Sequence, residues 1–231
     1  MSGWDSSKKI LMKELLFENK KVLDVGCGNG WFSIWADRNG CLVDAIDPSV
    51  IQIKDARDKD ETNKINFMVA GAENIKDLTN CYDLIFFFNS LHHIPDTIMD
   101  KSIKYSKNKM DINGSIIIVE PIAKGNFHNF VKYIDDETSV RNEAYKTIKN
   151  CKKYNLEIVK ELIYDEIKRF NSGEECINFL SKVDAARKSY IENNMELLLN
   201  EFNRLSNYND NKYEFIQPMR LNIIKNKNKG E

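Results

Sequence analysis

The sequence has few of the features that would mark it for export, for a membrane or for a metal framework. Its five cysteines, at positions 27, 41, 81, 151 and 176, form no CxxC pair and share no ligand spacing with the three histidines. An odd, scattered set favours reduced thiols over a disulfide framework and writes no metal site. No stretch approaches the ~20 apolar residues of a membrane span, and the N-terminal region lacks the uninterrupted apolar core of a signal peptide. Charge of one sign is also missing. Lys and Arg number 34 against 35 for Asp and Glu, a formal net charge of −1, so no overall field draws the chain to nucleic acid or an anionic membrane. The basic Lys225–Lys229 tail reads as a solvated end. The expectation is a cytoplasmic protein with no nucleic-acid and no membrane partner. With 231 residues, 42% hydrophobic, the chain suits one domain, 1–231, with an elaborated cap.

What is present is concentrated in Lys21–Trp31, KVLDVGCGNGW. Val22, Leu23 and Val25 make a short apolar run fit for a buried strand. Gly26, Gly28 and Gly30 then alternate, and a helical pattern resumes at Phe32. A strand that breaks into a glycine turn and opens a helix lets a ligand approach the backbone, with helix N–H groups aimed at it. In doubly wound α/β sheets ligands bind there, beyond the carboxyl ends of the strands. A dinucleotide fingerprint needs glycine where Trp31 stands, and a P-loop needs Gly-Lys-Ser/Thr; both fail.

The remaining pattern, apolar-apolar-Asp24-apolar-Gly26-Cys27-Gly28-Asn29-Gly30, resembles motif I of the class I S-adenosylmethionine-dependent methyltransferases. The resemblance runs over roughly residues 21 to 121. Leu42–Ile46 reads as the second strand, ending at Asp47-Pro48. An acid one βα unit beyond a glycine turn suits ribose hydroxyls, and in the resembled family it binds the adenosine ribose. Ala70-Gly71-Ala72-Glu73 is similar to the family's adenine-site segment, which implies that the Ala72 N–H and the Glu73 side chain read the adenine edge. Tyr82–Phe88 is apolar throughout, as a central parallel strand should be. It ends in Asn89-Ser90-Leu91-His92-His93-Ile94-Pro95, at the family's fourth motif. Gly114–Val119, closing on Glu120-Pro121, reads as the fifth strand. The resemblance thus implies S-adenosyl-L-methionine as cofactor, with Asp24, Gly26, Cys27, Gly28, Gly30, Trp31, Asp47, Pro48, Ala72, Glu73 and Asn89 around it.

Ser6–Phe17, with Ser6 or Ser7 as a cap, Phe32–Asn39, Ser49–Asp58 and Asp96–Ser106 read as helices. Trp4 precedes the first of them as a potential lid. Two apolar helical faces follow Glu120: Phe127, Phe130, Val131 and Ile134, then Val140, Ala144, Ile148 and Cys151. Leu156–Tyr164 is the next strand, Ala185–Leu205 a long amphipathic helix and Tyr213–Ile224 a final strand. The expected fold is α/β: a Rossmann-like, seven-stranded, mostly parallel sheet with helices on both faces. A cofactor core of about 18–121 would carry cap helices of about 124–153 and 184–206.

Methyl transfer from a sulfonium is an in-line displacement, so the protein mainly positions reactants and removes a proton when the nucleophile needs it; no metal is demanded. The Asp/Asn-Pro-Pro-aromatic motif of amino-directed enzymes is missing after strand four, and no basic patch interleaved with aromatics suggests RNA. A small-molecule acceptor follows, methylated at an oxygen. His128, Tyr133, Arg141, Tyr145 and Arg187 are possible contacts for it. The Ser-Leu-His-His-Ile-Pro segment resembles that of sugar and natural-product O-methyltransferases. The resemblance implies a general base at His92 or His93, assisted by Glu120. Which histidine faces the acceptor the sequence leaves open. A non-methyl S-adenosyl transferase on the same fold and a cofactor-binding pseudoenzyme are the alternatives.

Overall fold

The computed structural model describes residues 4–183 and 187–227. Ala185 and the end of the basic tail at Lys229, both singled out above, lie outside the described residues. The elements are α1 (Asp5–Glu14), β1 (Lys21–Val25), α2 (Trp31–Arg38), β2 (Leu42–Asp47), α3 (Val50–Lys59), β3 (Asn66–Val69), β4 (Tyr82–Phe88), α4 (Asp96–Lys109) and β5 (Met110–Pro121). After them come α5 (Gly125–Val131), α6 (Thr138–Lys149), β6 (Leu156–Phe170), α7 (Gly173–Val183), α8 (Arg187–Asn193), α9 (Met195–Leu205), β7 (Asn207–Asn209) and β8 (Lys212–Asn226). The sheet order is β3-β2-β1-β4-β5-β8-β6, with the short β7 paired antiparallel to β8. Every pairing from β3 to β5 is parallel. This is the Rossmann-like α/β class read from the sequence, with seven strands on the main path.

The chain divides into two compact units. The first comprises Glu14–Glu120, Glu143–Leu162 and Arg220–Glu231. Its central strand β4 is apolar on both sides because both sides are covered. Ile85 and Phe87 face one layer with Leu23, Val25, Ile116 and Ile118, closed by Met99 and Ile103 of α4 and by Ala144 and Ile148 of α6. Phe86 and Phe88 point the other way, where Phe32 of α2 lies 4.5 Å and 5.4 Å from their ring centroids. Phe17 and Trp35 complete that aromatic layer. Truncating a side chain as enclosed as Phe86, which has no exposure, costs on the order of 3–5 kcal/mol in such a core.

The second unit comprises Met1–Lys13, Pro121–Asn142 and Ile163–Met219. It has its own core, in which Phe127, Phe130, Phe170, Phe202 and Phe215 pack with Ile177, Leu180, Ile191 and Leu198. Here the structure departs from the sequence reading in three places. Helix α1 ends at Glu14 rather than Phe17, and its first turn is capped from a distance: Glu166 of β6 accepts the N–H groups of Ser6 (3.1 Å) and Ser7 (2.9 Å) and the Ser7 hydroxyl (2.6 Å). The long helix is two, α8 and α9, divided at Asn194. The side-chain amides of Asn193 and Asn194 donate to the carbonyls of Ser189 and Tyr190, a local competition that ends helices. Helix α7, over Gly173–Val183, has no counterpart in the sequence reading. Among the described residues no helix is long and apolar enough to cross a membrane.

Gly30 shows how tightly the first unit is built around its glycine turn. It has φ 76°, and a β-carbon there would lie 2.9 Å from both Ala56 Cβ and Phe67 Cζ. We expect Gly30→Ala to lower unfolding free energy by roughly 2–4 kcal/mol through left-handed strain and overpacking. Denaturant unfolding checks this, and a loss under about 0.5 kcal/mol would contradict the packing described.

Candidate active site

At the carboxyl end of β1 the backbone turns over, and the N–H groups of Gly26 and Cys27 both donate to the Ile46 carbonyl at 2.8 Å and 3.0 Å. That laces the turn to β2. The Gly28 N–H then donates to Asp47 Oδ2 at 2.9 Å, while Asp47 Oδ1 accepts from Ser49 at 2.8 Å. One carboxylate thus ties the turn to the start of α3, whose N-cap is Ser49. The three glycines answer different demands. Gly26 (φ 73°) would drive a β-carbon to 2.6 Å from Ser90 Cβ, and Gly30 is enclosed by Ala56 and Phe67. Gly28 (φ 52°) would meet only Gln52 Oε1, at 3.9 Å. Two glycines are required by packing; the middle one borders open space beside a carboxylate. That leaves room for a ligand's atoms against a backbone whose positive φ favours glycine.

Beneath it, Asp24 is 1% exposed and accepts the Ser33 hydroxyl at 2.6 Å. Burial pushes its carboxyl up to about 7; the Ser33 bond works against that shift and the nearby Asp47 charge adds to it. Cys27 is buried, and burial followed by the Asp24 and Asp47 charges pushes its thiol up, so it stays protonated and unreactive. Trp31 opens α2 with its ring edge-on to Phe88 at 4.8 Å. Pro48 is exposed. Ala72 is buried and Glu73 exposed in a 3₁₀ turn over Ala72–Asp77. Asn89 ends β4 with φ 54°, its N–H donating to Val119 at 2.7 Å. Asp24, the glycine turn, Asp47, Ala72, Glu73, Asn89, His92, His93 and Glu120 all belong to the first unit.

The paired histidines separate clearly. His92 is 3% exposed, and its Nδ1 bonds Glu120 Oε2; His93 is exposed, its ring centroid 4.0 Å from that of His92. Glu120 is also buried. Its other oxygen accepts the N–H groups of Ser90 (3.0 Å) and Leu91 (2.9 Å). Both the imidazole and the loop that carries it are therefore held by one carboxylate at the end of β5.

Two residues missed in the sequence complete this frame. Ser33 is a fully buried hydroxyl on the apolar face of α2, and Ser90 is the residue between Asn89 and Leu91 that approaches Gly26. A lone serine on an apolar helical face was the signal for the first. His128, Arg141 and Arg187 join Glu137 and Asp135 in a polar network of the second unit. There burial, then the Arg141 charge, lowers the affinity of His128 for a proton. Tyr133 meets Arg204 at 3.4 Å in the same unit, where Trp4 also lies, its ring centroid 3.4 Å from the Lys168 ammonium. Tyr145 belongs to the first unit, under the Arg220 guanidinium at 3.4 Å.

Residues 22–110 match a family model described as a methyltransferase domain. The tRNA U34 carboxymethyltransferase of Nautilia profundicola is 28% identical over 145 residues, which cover 61% of this chain and 44% of that protein. The ubiquinone biosynthesis O-methyltransferase of Pelagibacter ubique is 34% identical over 112 residues, 48% of this chain and 45% of that one. The chain thus spans under half the length of either relative. Among solved structures, a Bacillus halodurans C-125 protein aligns over 97% of this chain and all of its own, with TM-score 0.66 and 16% identity. Magnesium protoporphyrin IX methyltransferase of Synechocystis PCC 6803 aligns over 94% and 76%, with TM-score 0.50 and 16% identity. At such identities the likeness is one of fold.

The Asp24 carboxyl gives the site a measurable signature. Its pKa is 3.8 when solvated and about 7 in the fold. Between those values the folded state holds a proton that the unfolded chain releases, so stability from this group is full below 3.8 and is lost as pH rises towards 7. We expect unfolding free energy measured at about pH 5 and about pH 8 to fall by a few kcal/mol across that range from this group. Asp24→Asn should flatten that slope; an unchanged slope in the variant would contradict the assignment.

Proposed function

We propose that the chain is a class I S-adenosylmethionine-dependent methyltransferase, a reading supported by the match of residues 22–110 to a methyltransferase-domain model, and that it binds S-adenosylmethionine at the Gly26–Gly30 turn and transfers methyl to an oxygen of a small-molecule acceptor, with His92 as general base. The observation that carries this reading is the open side of Gly28 beside Asp47, in the same unit as the His92–Glu120 pair. The residues present fit the cofactor. Each Asp47 oxygen keeps acceptor capacity beyond its one backbone bond, enough for ribose hydroxyls. The Ala72 N–H and Glu73 carboxylate suit an adenine edge, and Asn89 stands at the end of β4 beside the turn. When bound, S-adenosylmethionine supplies a methyl group on a positively charged sulfur. A buried Asp24 beneath a cationic ligand favours the ionised carboxylate, so binding releases its proton near neutral pH.

Glu120 does two things for proton removal. By taking Nδ1 of His92 it fixes the tautomer, so the neutral imidazole carries its basic lone pair on Nε2. By accepting from Ser90 and Leu91 it holds the loop that bears the ring. His93 is exposed, next to His92 on the same 3₁₀ turn.

A second reading, carboxymethyl transfer, is favoured by the tRNA U34 carboxymethyltransferases among the relatives. Against a tRNA acceptor stands the formal net charge of −1, which offers no excess of cations to phosphate. Product mass after incubation with S-adenosylmethionine, or with its analogue bearing a carboxymethyl group on the sulfonium, and panels of hydroxylated metabolites or tRNA separates the readings: a methyl increment on a metabolite supports the first, a carboxymethyl increment from the analogue with no methyl increment from S-adenosylmethionine overturns it. With the acceptor in hand, His92→Ala should lower turnover by ~10²–10⁴-fold while cofactor affinity holds. His93→Ala should leave turnover within a few-fold. Equal losses in the two variants, or none in either, would remove His92 as the base.

A further inference from the structure

Resting on that reading of the site, we propose that Ser90 is a positioning residue that couples occupation of the glycine turn to the placement of the His92 imidazole. Ser90 touches both halves of the site at once. Its hydroxyl donates to the Val25 carbonyl at 2.6 Å, the last residue of β1, and its Cβ lies 2.6 Å from where a Gly26 β-carbon would stand. Its N–H donates to Glu120 Oε1 at 3.0 Å, and the other oxygen of that carboxylate holds His92 Nδ1. A single residue, 6% exposed, therefore links the backbone on which the ligand turn is hung to the carboxylate that orients the imidazole.

The local backbone is shaped for this contact. Asn89, at φ 54°, takes a left-handed conformation that asparagine tolerates better than most residues. It turns the chain out of β4 immediately before Ser90, while its own N–H stays in register with Val119. Ser90 then adopts φ −134°, ψ −25° and begins the short 3₁₀ turn Leu91–His93 that carries both histidines. A shift of the turn at Val25–Gly26 has little slack to absorb it. Buried, well-packed groups move together, and the hydroxyl bond to Val25 transmits displacement of the turn to Ser90. From Val25 to Ser90 to Glu120 to His92 the path has three hydrogen-bonded steps, all within one compact unit.

The test is the imidazole NMR signal of His92. The chain has three histidines, so His93→Ala and His128→Ala assign the spectrum. S-adenosylhomocysteine is the probe, because it lacks the sulfonium charge that would act on His92 through space. In the wild-type protein, saturating probe should move the His92 signal. In Ser90→Ala the probe should still bind, roughly tenfold more weakly for the lost buried hydrogen bond, and the His92 signal should stay at its free position. A wild-type shift in Ser90→Ala overturns the coupling, as does an unmoved signal in a wild-type protein that calorimetry shows to be saturated. Failure of the wild-type protein to bind the probe is a different result: it removes the cofactor reading, and the coupling with it. If Ser90→Ala does not fold, Ser90→Cys keeps the volume beside Gly26 with a much weaker donor. It should show a reduced shift, and a full one overturns the proposal. A merely structural Ser90 would lower the melting temperature and leave the shift intact.

Discussion

Glu120 carries its carboxylate into a place almost without water, and the three groups around it make that possible. Two are backbone N–H groups and the third an imidazole nitrogen. An isolated buried carboxylate would cost several kcal/mol; this one is repaid by bonds that also bend the β4 loop and aim its histidine. Asp47 does the same work at the end of β2, where its two oxygens take Gly28 and Ser49. The site therefore depends on a repeated device: an acid at the carboxyl end of a parallel strand, turned onto the backbone of the neighbouring loop. Parallel strands put those ends on one edge, and the loops do the rest.

Stability and chemistry compete at Asp24. In the folded chain its carboxyl is held at about 7 by burial, beside a carboxylate that raises it further. A core serine is set there to offset part of the cost. Such an arrangement gains little for the free protein, and a cationic ligand above it reverses the sign of the electrostatics. The unreactive, protonated Cys27 shows that the same burial can silence a neighbouring group.

Much of the first unit was legible in the sequence because its parallel strands are buried on both faces and so read as apolar runs. YDLIFFF could hardly be anything but a central strand, and three alternate glycines after VLDV could hardly be a plain turn. Strand ends were less visible. β6 runs to Phe170, six residues past the sequence reading, because its second half alternates between exposed and buried residues that no apolar run marks. The cap of α1 comes from Glu166, some 160 residues away in sequence, which no local pattern reveals. The two histidines were equivalent in sequence; the burial of His92 and its bond to Glu120 distinguish them. Ser90 was passed over for the same reason, since its partners, Val25 and Glu120, come from two other strands. The extra helices of the second unit, where amphipathic patterns abound, were mis-divided at Asn194 for want of a proline or glycine to mark the break.

The central claim, that the open side of Gly28 is the cofactor's seat, is tested most directly by calorimetric titration of S-adenosylmethionine into the wild-type protein and Gly28→Val, with circular dichroism of both. A valine there would fill the space beside Asp47 and oppose the positive φ of 52°. The account predicts saturable binding to the wild type and none to a variant that keeps the native spectrum. A natively folded Gly28→Val protein that binds as tightly as the wild type would contradict it.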